Sequence, residues 1–224
     1  MRVVVYNVRG FRAGVDRVAE VADELRPDIL LLQESGGRRA LKRFAREVRM
    51  DAAADPRTPL RRRVKIAVLV RSPWRIVSHR LRRFERSRPF YPRGALIAQV
   101  GRAGRRLWVV SIHLGLAPVE RRRHVEELTD LARGLAGPVL IGGDLNELPG
   151  KRAAAWLADR YWDAWDKAGE GDGATFPAAD PTARIDFLFA SEQVSVRAAS
   201  TANSGAARTA SDHRPVVVDL SIED

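Results

Sequence analysis

Residues 107–146 read LWVVSIHLGLAPVERRRHVEELTDLARGLAGPVLIGGDLN, and this stretch decides the fold. Leu107 to Ile112 is an almost unbroken apolar run rich in β-branched residues, the pattern of a buried strand that enters its loop at His113. Pro118 fixes the first turn of a helix. Val125, Leu128, Leu131 and Leu135 then recur at helical spacing, which predicts a helix to about Leu135. Pro138 to Ile141 is a second apolar run, closed by Gly142-Gly143-Asp144-Leu145-Asn146. Upstream, Val3 to Tyr6 reads as a strand, residues 14–25 as a helix with Val15, Val18, Val21, Ala22 and Leu25 on one face, and Asp28 to Gln33 as a second strand. Residues 38–49 predict a basic surface helix, and Val64–Val70 and Ala95–Val100 predict strands. Downstream, residues 150–158 suggest a short helix, and Ile185–Phe189 and Pro215–Leu220 the last long strands. The order begins β-α-β-α and then passes to strands without intervening helices. That mixture argues for packed sheets with helices outside, not a purely parallel doubly wound sheet. The irregular stretches 51–63, 80–94, 166–184 and 199–214 are long enough to be rims of a site.

The chain has 224 residues, 45 % of them hydrophobic and 30 % charged, a balance that predicts one globular domain over 1–224. Cysteine is absent, which excludes disulfide scaffolds, zinc–thiolate sites, iron–sulfur clusters and a cysteine nucleophile. No apolar run reaches the ~20 residues of a membrane span, and no signal-peptide pattern opens the sequence, so a cytoplasmic monomer is expected. The formal net charge is +11, carried mostly by arginine. It points to an acidic partner, although GC-rich codon usage also enriches arginine. The segment from His79 to Arg93 interleaves arginines with Phe84, Phe90 and Tyr91, which suits a nucleic-acid strand and also an anionic lipid surface. Arg61–Arg63 and Arg121–Arg123 read as solvated faces, with contact to substrate phosphates as the alternative, and His79 and His124 as surface residues.

Polar residues cluster at the ends of the apolar runs. Asn7 ends the first and Gln33-Glu34 the second; His113 and Asp144–Asn146 end the next two. Asp186 enters another, and Asp212-His213 precede the last. Brought to one rim, they would form a pocket of carboxylates, amides and imidazoles. Oxygen ligands without thiolates select Mg²⁺ or Mn²⁺, and such an ion suits in-line displacement at phosphorus. Neither a G-x-S-x-G elbow nor a P-loop is present.

The motifs Y-N-V-R-G-F (6–11), L-L-Q-E (31–34), S-I-H-L (111–114), G-G-D-L-N (142–146), T-F-P (175–177), R-I-D-F (184–187) and S-D-H-R-P (211–215) appear in an order that resembles the endonuclease/exonuclease/phosphatase superfamily. That group includes DNase I, abasic endonucleases, neutral sphingomyelinases, inositol polyphosphate 5-phosphatases and deadenylases. The resemblance implies a four-layer α/β sandwich: two mixed β-sheets face to face with helices outside and the site at one edge. It implies Glu34 as the principal metal ligand, with Asn7 and Asp212 in support. It implies Asp144 as the residue that orients water, Asn146 as the amide on the phosphoryl oxygen, and His213 as the imidazole on the scissile phosphate, hydrogen-bonded to Asp186. His113 is then a candidate general acid, with Glu85 as a conceivable carboxylate partner. Arg9 in N-x-R-x-F resembles the phosphate-contacting arginine of DNase I-type enzymes, and Arg93 joins it as a candidate phosphate contact. The expected activity is Mg²⁺- or Mn²⁺-dependent phosphodiester hydrolysis, with a nucleic-acid backbone as substrate. A phosphatase or phospholipase-like hydrolase is the alternative, and an inactive nucleic-acid-binding module the remote one.

Overall fold

Apolar, β-branched runs such as Val3-Val4-Val5 and Ile29–Leu32 cannot be solvated on either face, so they pair in the interior of sheets. In a computed structural model of the chain, which describes residues 1–55, 63–85 and 92–222, these runs form the centres of two six-stranded sheets. The strands are β1 (Arg2–Asn7), β2 (Ile29–Gln33), β3 (Asp51–Ala54), β4 (Ala67–Val70), β5 (Arg75–Arg83), β6 (Gly94–Arg102), β7 (Arg105–His113), β8 (Val139–Asp144), β9 (Trp162–Asp163), β10 (Asp186–Ala190), β11 (Val194–Thr201) and β12 (Val216–Ile222). The helices are α1 (Val15–Leu25), α2 (Arg38–Glu47), α3 (Pro118–Ala132), α4 (Arg152–Ala158) and α5 (Ala164–Ala168). The first sheet runs β11-β12-β1-β2-β4-β3 and the second β5-β6-β7-β8-β10-β9. Each is mixed: β1–β2 and β7–β8 are parallel pairs within otherwise antiparallel ladders.

Three apolar clusters give the layering its reason. Val5, Leu31, Leu140 and Leu188 pack between the sheets. Val18, Val21, Leu41 and Phe44 hold α1 and α2 on the first sheet, and Val125, Leu128 and Leu157 hold α3 and α4 on the second. This is the expected α/β sandwich with helices outside. Gly142 and Gly143 are demanded by that packing. A Cβ on Gly142 would lie 2.7–2.9 Å from Leu31 and Val5 of the facing sheet and from Leu188 of the neighbouring strand, and one on Gly143 would lie 1.9 Å from the Ile112 carbonyl.

Several expectations are corrected. Stretch 51–63 opens with β3, stretch 80–94 carries the end of β5 and the start of β6, and 199–214 the end of β11. Edge strand β5 is exposed along most of its length, so it has no apolar run to betray it. A bulge between Val196 and Ala198 interrupts the alternation of β11. The helix expected to about Leu135 ends at Ala132. His124 is buried, stacked on Phe84, and Arg63 and Arg121 are buried too; of the described residues assigned to the surface, His79 and Arg123 are exposed. Arg61, Arg62, Arg86, Phe90 and Tyr91 lie outside the described residues.

Candidate active site

Both parallel pairs end on the same edge, and this converts strand-end residues into a cluster. Asn7 at the end of β1 pairs in register with Gln33 at the end of β2, and Glu34 follows. Across the second sheet His113 is in register with Asp144, and Asp186 lies directly opposite Asp144 on β10. The loop before β12 adds Asp212 and His213. A cavity of about 380 Å³ opens there, lined among others by Glu34, His113, Asp144, Asn146, His213 and Arg93. Asn7 and Asp212 do not line it; Asn7 reaches it through Asp144.

Asp144 is the hub. Its Oδ2 accepts from Asn7 Nδ2 at 2.9 Å and its Oδ1 from the Asn146 backbone N–H at 2.8 Å. His113 Nε2 lies 3.4 Å and His213 Nε2 3.9 Å from Oδ2. Burial pushes the Asp144 pKa up, but the hydrogen bond from His113, the charge of His213 and the Asn146 N–H outweigh it and hold the carboxyl well below its ordinary range. Arg93 Nη1 sits 3.1 Å from His113 Nδ1. A guanidinium only donates, so Nδ1 accepts and the ring proton belongs on Nε2, facing Asp144. The carboxylate partner of His113 is therefore Asp144 and not Glu85, whose side chain faces Arg123 at 3.9 Å.

His213 and Asp186 form a second unit. His213 Nδ1 lies 2.8 Å from Asp186 Oδ2, which also accepts from Thr175 Oγ1 at 2.6 Å. Burial lowers the His213 pKa, but the carboxylates of Asp186, Asp144 and Asp212 together lift it to about 9, so the ring is an imidazolium at neutral pH. Phe176 covers it with ring centroids 5.0 Å apart. The T-F-P motif thus supplies both Thr175 and Phe176, to which the sequence reading assigned no role.

Glu34 differs from its neighbours: its carboxylate has no hydrogen-bond or ion-pair partner among the described residues, yet it lines the cavity. Its backbone is left-handed, φ 49°, as is that of Asn146, φ 50°. Asp144, Asp186 and His213 bring donor atoms within 4.8 Å of one another, and Asp186 Oδ1 is buried without a partner. A partnerless carboxylate beside further hard oxygen donors fits a divalent cation. Asp186 and His213 are already spent on each other, which leaves Glu34 as the group best placed to take an ion. Arg9 Nε lies 3.0 Å from Asp212 Oδ2, so both residues are paired with each other.

Beneath the rim, Arg121 of α3 bonds Glu147 at 2.9 Å and donates to the carbonyls of Gly115 and Leu116. Glu147 accepts from the Ala153 backbone N–H at 2.5 Å. This buried pair ties the loop after His113 to the loop after Asp144. Arg12, Arg63, Lys65 and Leu116 also line the cavity. None belongs to a strand-end motif; sequence reading missed Arg12, Lys65 and Leu116, and reached Arg63 only as the alternative reading of its arginine run.

The model of the Endonuclease/Exonuclease/phosphatase family matches residues 4–213. An endonuclease/exonuclease/phosphatase from Bacteroides vulgatus superimposes with a TM-score of 0.86 at 18% identity, over 99% of this chain and 98% of that one. A mannosyl-6-phosphatase from Bacteroides thetaiotaomicron gives 0.82 at 19% identity, over 99% and 100%. A humanized D. rerio TDP2 gives 0.77 at 17% identity, over 99% and 98%. No curated protein matches the sequence.

Proposed function

Because the chain belongs to the endonuclease/exonuclease/phosphatase family, we propose that it hydrolyses a phosphodiester in a Mg²⁺- or Mn²⁺-dependent reaction, with a nucleic-acid backbone as the substrate. The observation that carries this reading is the partnerless Glu34 carboxylate in one cavity with the His213–Asp186 pair. Glu34 would hold the ion, with Asn7 and Asp212 in support. When bound, the ion supplies charge neutralisation at the phosphoryl group and positions the attacking water. Asp144 orients that water, its own orientation fixed by Asn7 and Asn146. His213 presents Nε2–H to a phosphoryl oxygen while Asp186 holds Nδ1–H, so positive charge is in place before the reaction begins. Asn146 spends one amide hydrogen on the Leu114 carbonyl and keeps the other for the same group. His113 directs its Nε2–H at Asp144 and helps orient that carboxylate; in this reading it serves as the general acid once a proton passes from it to the leaving oxygen.

The basic edge strand β5 supports the nucleic-acid substrate: Arg75, Arg80, Arg82 and Arg83 line a strand whose partner β6 begins beside Arg93 in the cavity. A second reading, hydrolysis of a small phosphomonoester, is favoured by the concentration of Arg12, Arg63, Lys65 and Arg93 around so compact a cavity. The test is turnover of single- and double-stranded DNA, RNA, a bis-aryl phosphate and a set of sugar phosphates, with and without chelator. Cleavage of the polymers or the diester, lost in chelator, is expected. Turnover confined to monoesters makes the second reading the correct one, and full activity in excess chelator ends the metal-dependent mechanism.

A further inference from the structure

Arg63 stands apart from the other cations around the cavity. Arg12 and Lys65 are exposed, and Arg93 is engaged with His113. Arg63 is only 4% exposed, lines the cavity, and has neither Nε nor Nη2 hydrogen-bonded among the described residues. Its neighbouring carboxylate, Asp55, is already committed: Oδ1 lies 3.2 Å from Arg83 and Oδ2 accepts from the Val64 N–H at 2.7 Å. Burial, with the like charge of Arg38 adding to it, lowers the Arg63 pKa against the opposing pull of Asp55. Arginine nevertheless keeps its proton in a protein. A desolvated guanidinium with unused donors is costly to the fold. Such a cost is a common mark of a ligand site, because an incoming anion removes it.

We propose that Arg63 is a substrate-binding residue whose unpaired guanidinium holds a phosphate group of the substrate in the cavity. The planar fork of donors matches two oxygens of one phosphate, which an ammonium cannot do. The inference rests on the reading that this cavity receives a phosphoester, and it adds a residue that no strand-end motif contains. Because it lines the same cavity as Asp144 and His213, the phosphate it holds is either the reacting group or one beside it on the same substrate.

The experiment measures inorganic phosphate binding to the full chain by calorimetry, in buffer with and without Mg²⁺, for the wild type, Arg63→Met and Arg63→Lys. Loss of a charged hydrogen-bond donor should weaken phosphate binding roughly tenfold to a hundredfold in Arg63→Met, with an intermediate loss in Arg63→Lys. The ligand-free Arg63→Met protein should melt at the same temperature as the wild type or higher, since an unpaired buried charge has gone. Unchanged phosphate affinity overturns the proposal, as does absence of phosphate binding by the wild type even in large excess. A clear fall in the melting temperature of ligand-free Arg63→Met, or its failure to fold, also overturns it, because Arg63 would then be a structural residue. Phosphate binding is read without turnover, so this result and the hydrolysis test fail separately. With a turned-over substrate, a raised KM at constant kcat in Arg63→Lys assigns the neighbouring phosphate, and a lowered kcat the reacting one; either supports the proposal.

Discussion

Glu34 occupies a left-handed backbone conformation that costs a non-glycine residue about 1 kcal/mol, and its carbonyl is pinned by the Gly10 N–H at 2.8 Å. The backbone therefore presents a carboxylate that has no hydrogen-bond or ion-pair partner among the described residues. Glu34→Gln should weaken Mg²⁺ and Mn²⁺ binding and lower the rate by at least roughly a hundredfold, with melting temperature unchanged, as calorimetry and thermal unfolding would show. Unaltered metal affinity would remove Glu34 from the ligand set. His213 and Asp186 should behave as one unit. Asp186→Asn should cost about as much activity as His213→Ala, and the double variant little more; additive losses in the cycle would separate them. The same pair sets a pH dependence of stability. The folded pKa of His213, about 9, stands above its ordinary 6.5, so its contribution is complete below about pH 6.5 and is lost as pH rises to about 9. Denaturation across that window should show the wild type losing stability relative to His213→Gln, and a constant difference would contradict the raised pKa.

At the scale of elements, the site depends on loops that follow β7 and β8, and the Arg121–Glu147 pair joins them. Both side chains are more than nine-tenths buried, 9% and 7% exposed. Replacing either alone with Met strands a buried charge and should cost about 3–5 kcal/mol. Removing both leaves no stranded charge, so the double variant should be far more stable than the sum of the single losses allows. Denaturation of the four proteins measures this, and simple additivity would show that the two side chains act independently. Their catalytic consequence should persist in the double variant, since the Gly115 and Leu116 carbonyls and the start of α4 have then lost their common anchor.

Across the whole molecule, a net charge of +11 and the arginines of β5 give long-range attraction for a polyanion. Affinity of the Glu34→Gln protein for DNA should fall steeply with salt, with a log–log slope of several units and little dependence on sequence. Arg80→Gln with Arg82→Gln should flatten that slope by roughly one unit per lost phosphate contact. Arg83 is the wrong residue for this test, because its pairing with buried Asp55 would mix stability into the measurement. A shallow slope, unmoved by the two substitutions, would identify the arginines as a solvated edge and favour the small-phosphoester reading.

By itself the sequence determined the strands at the centre of each sheet, the helices that cover them, and which polar residues stand at strand ends. These follow from local periodicity, where each apolar run declares its own burial and each terminus its own polarity. Family motifs drew Asn7, Glu34, His113, Asp144, Asn146, Asp186, Asp212 and His213 into one proposed site, and the fold brings them to one edge. The resemblance had already joined His213 to Asp186, but the remaining pairings were decided only by the tertiary structure. Asp144 rather than Glu85 faces His113, Arg9 is held by Asp212, and Thr175 steadies Asp186, because hydrogen bonds between distant strands leave no trace in spacing along the chain. Strand β5 was hidden because an exposed edge needs no apolar alternation. Within a run of arginines the sequence offered phosphate contact only as an alternative and could not single out Arg63, since charge in a sequence is a property of the residue, whereas burial without a partner is a property of everything packed around it.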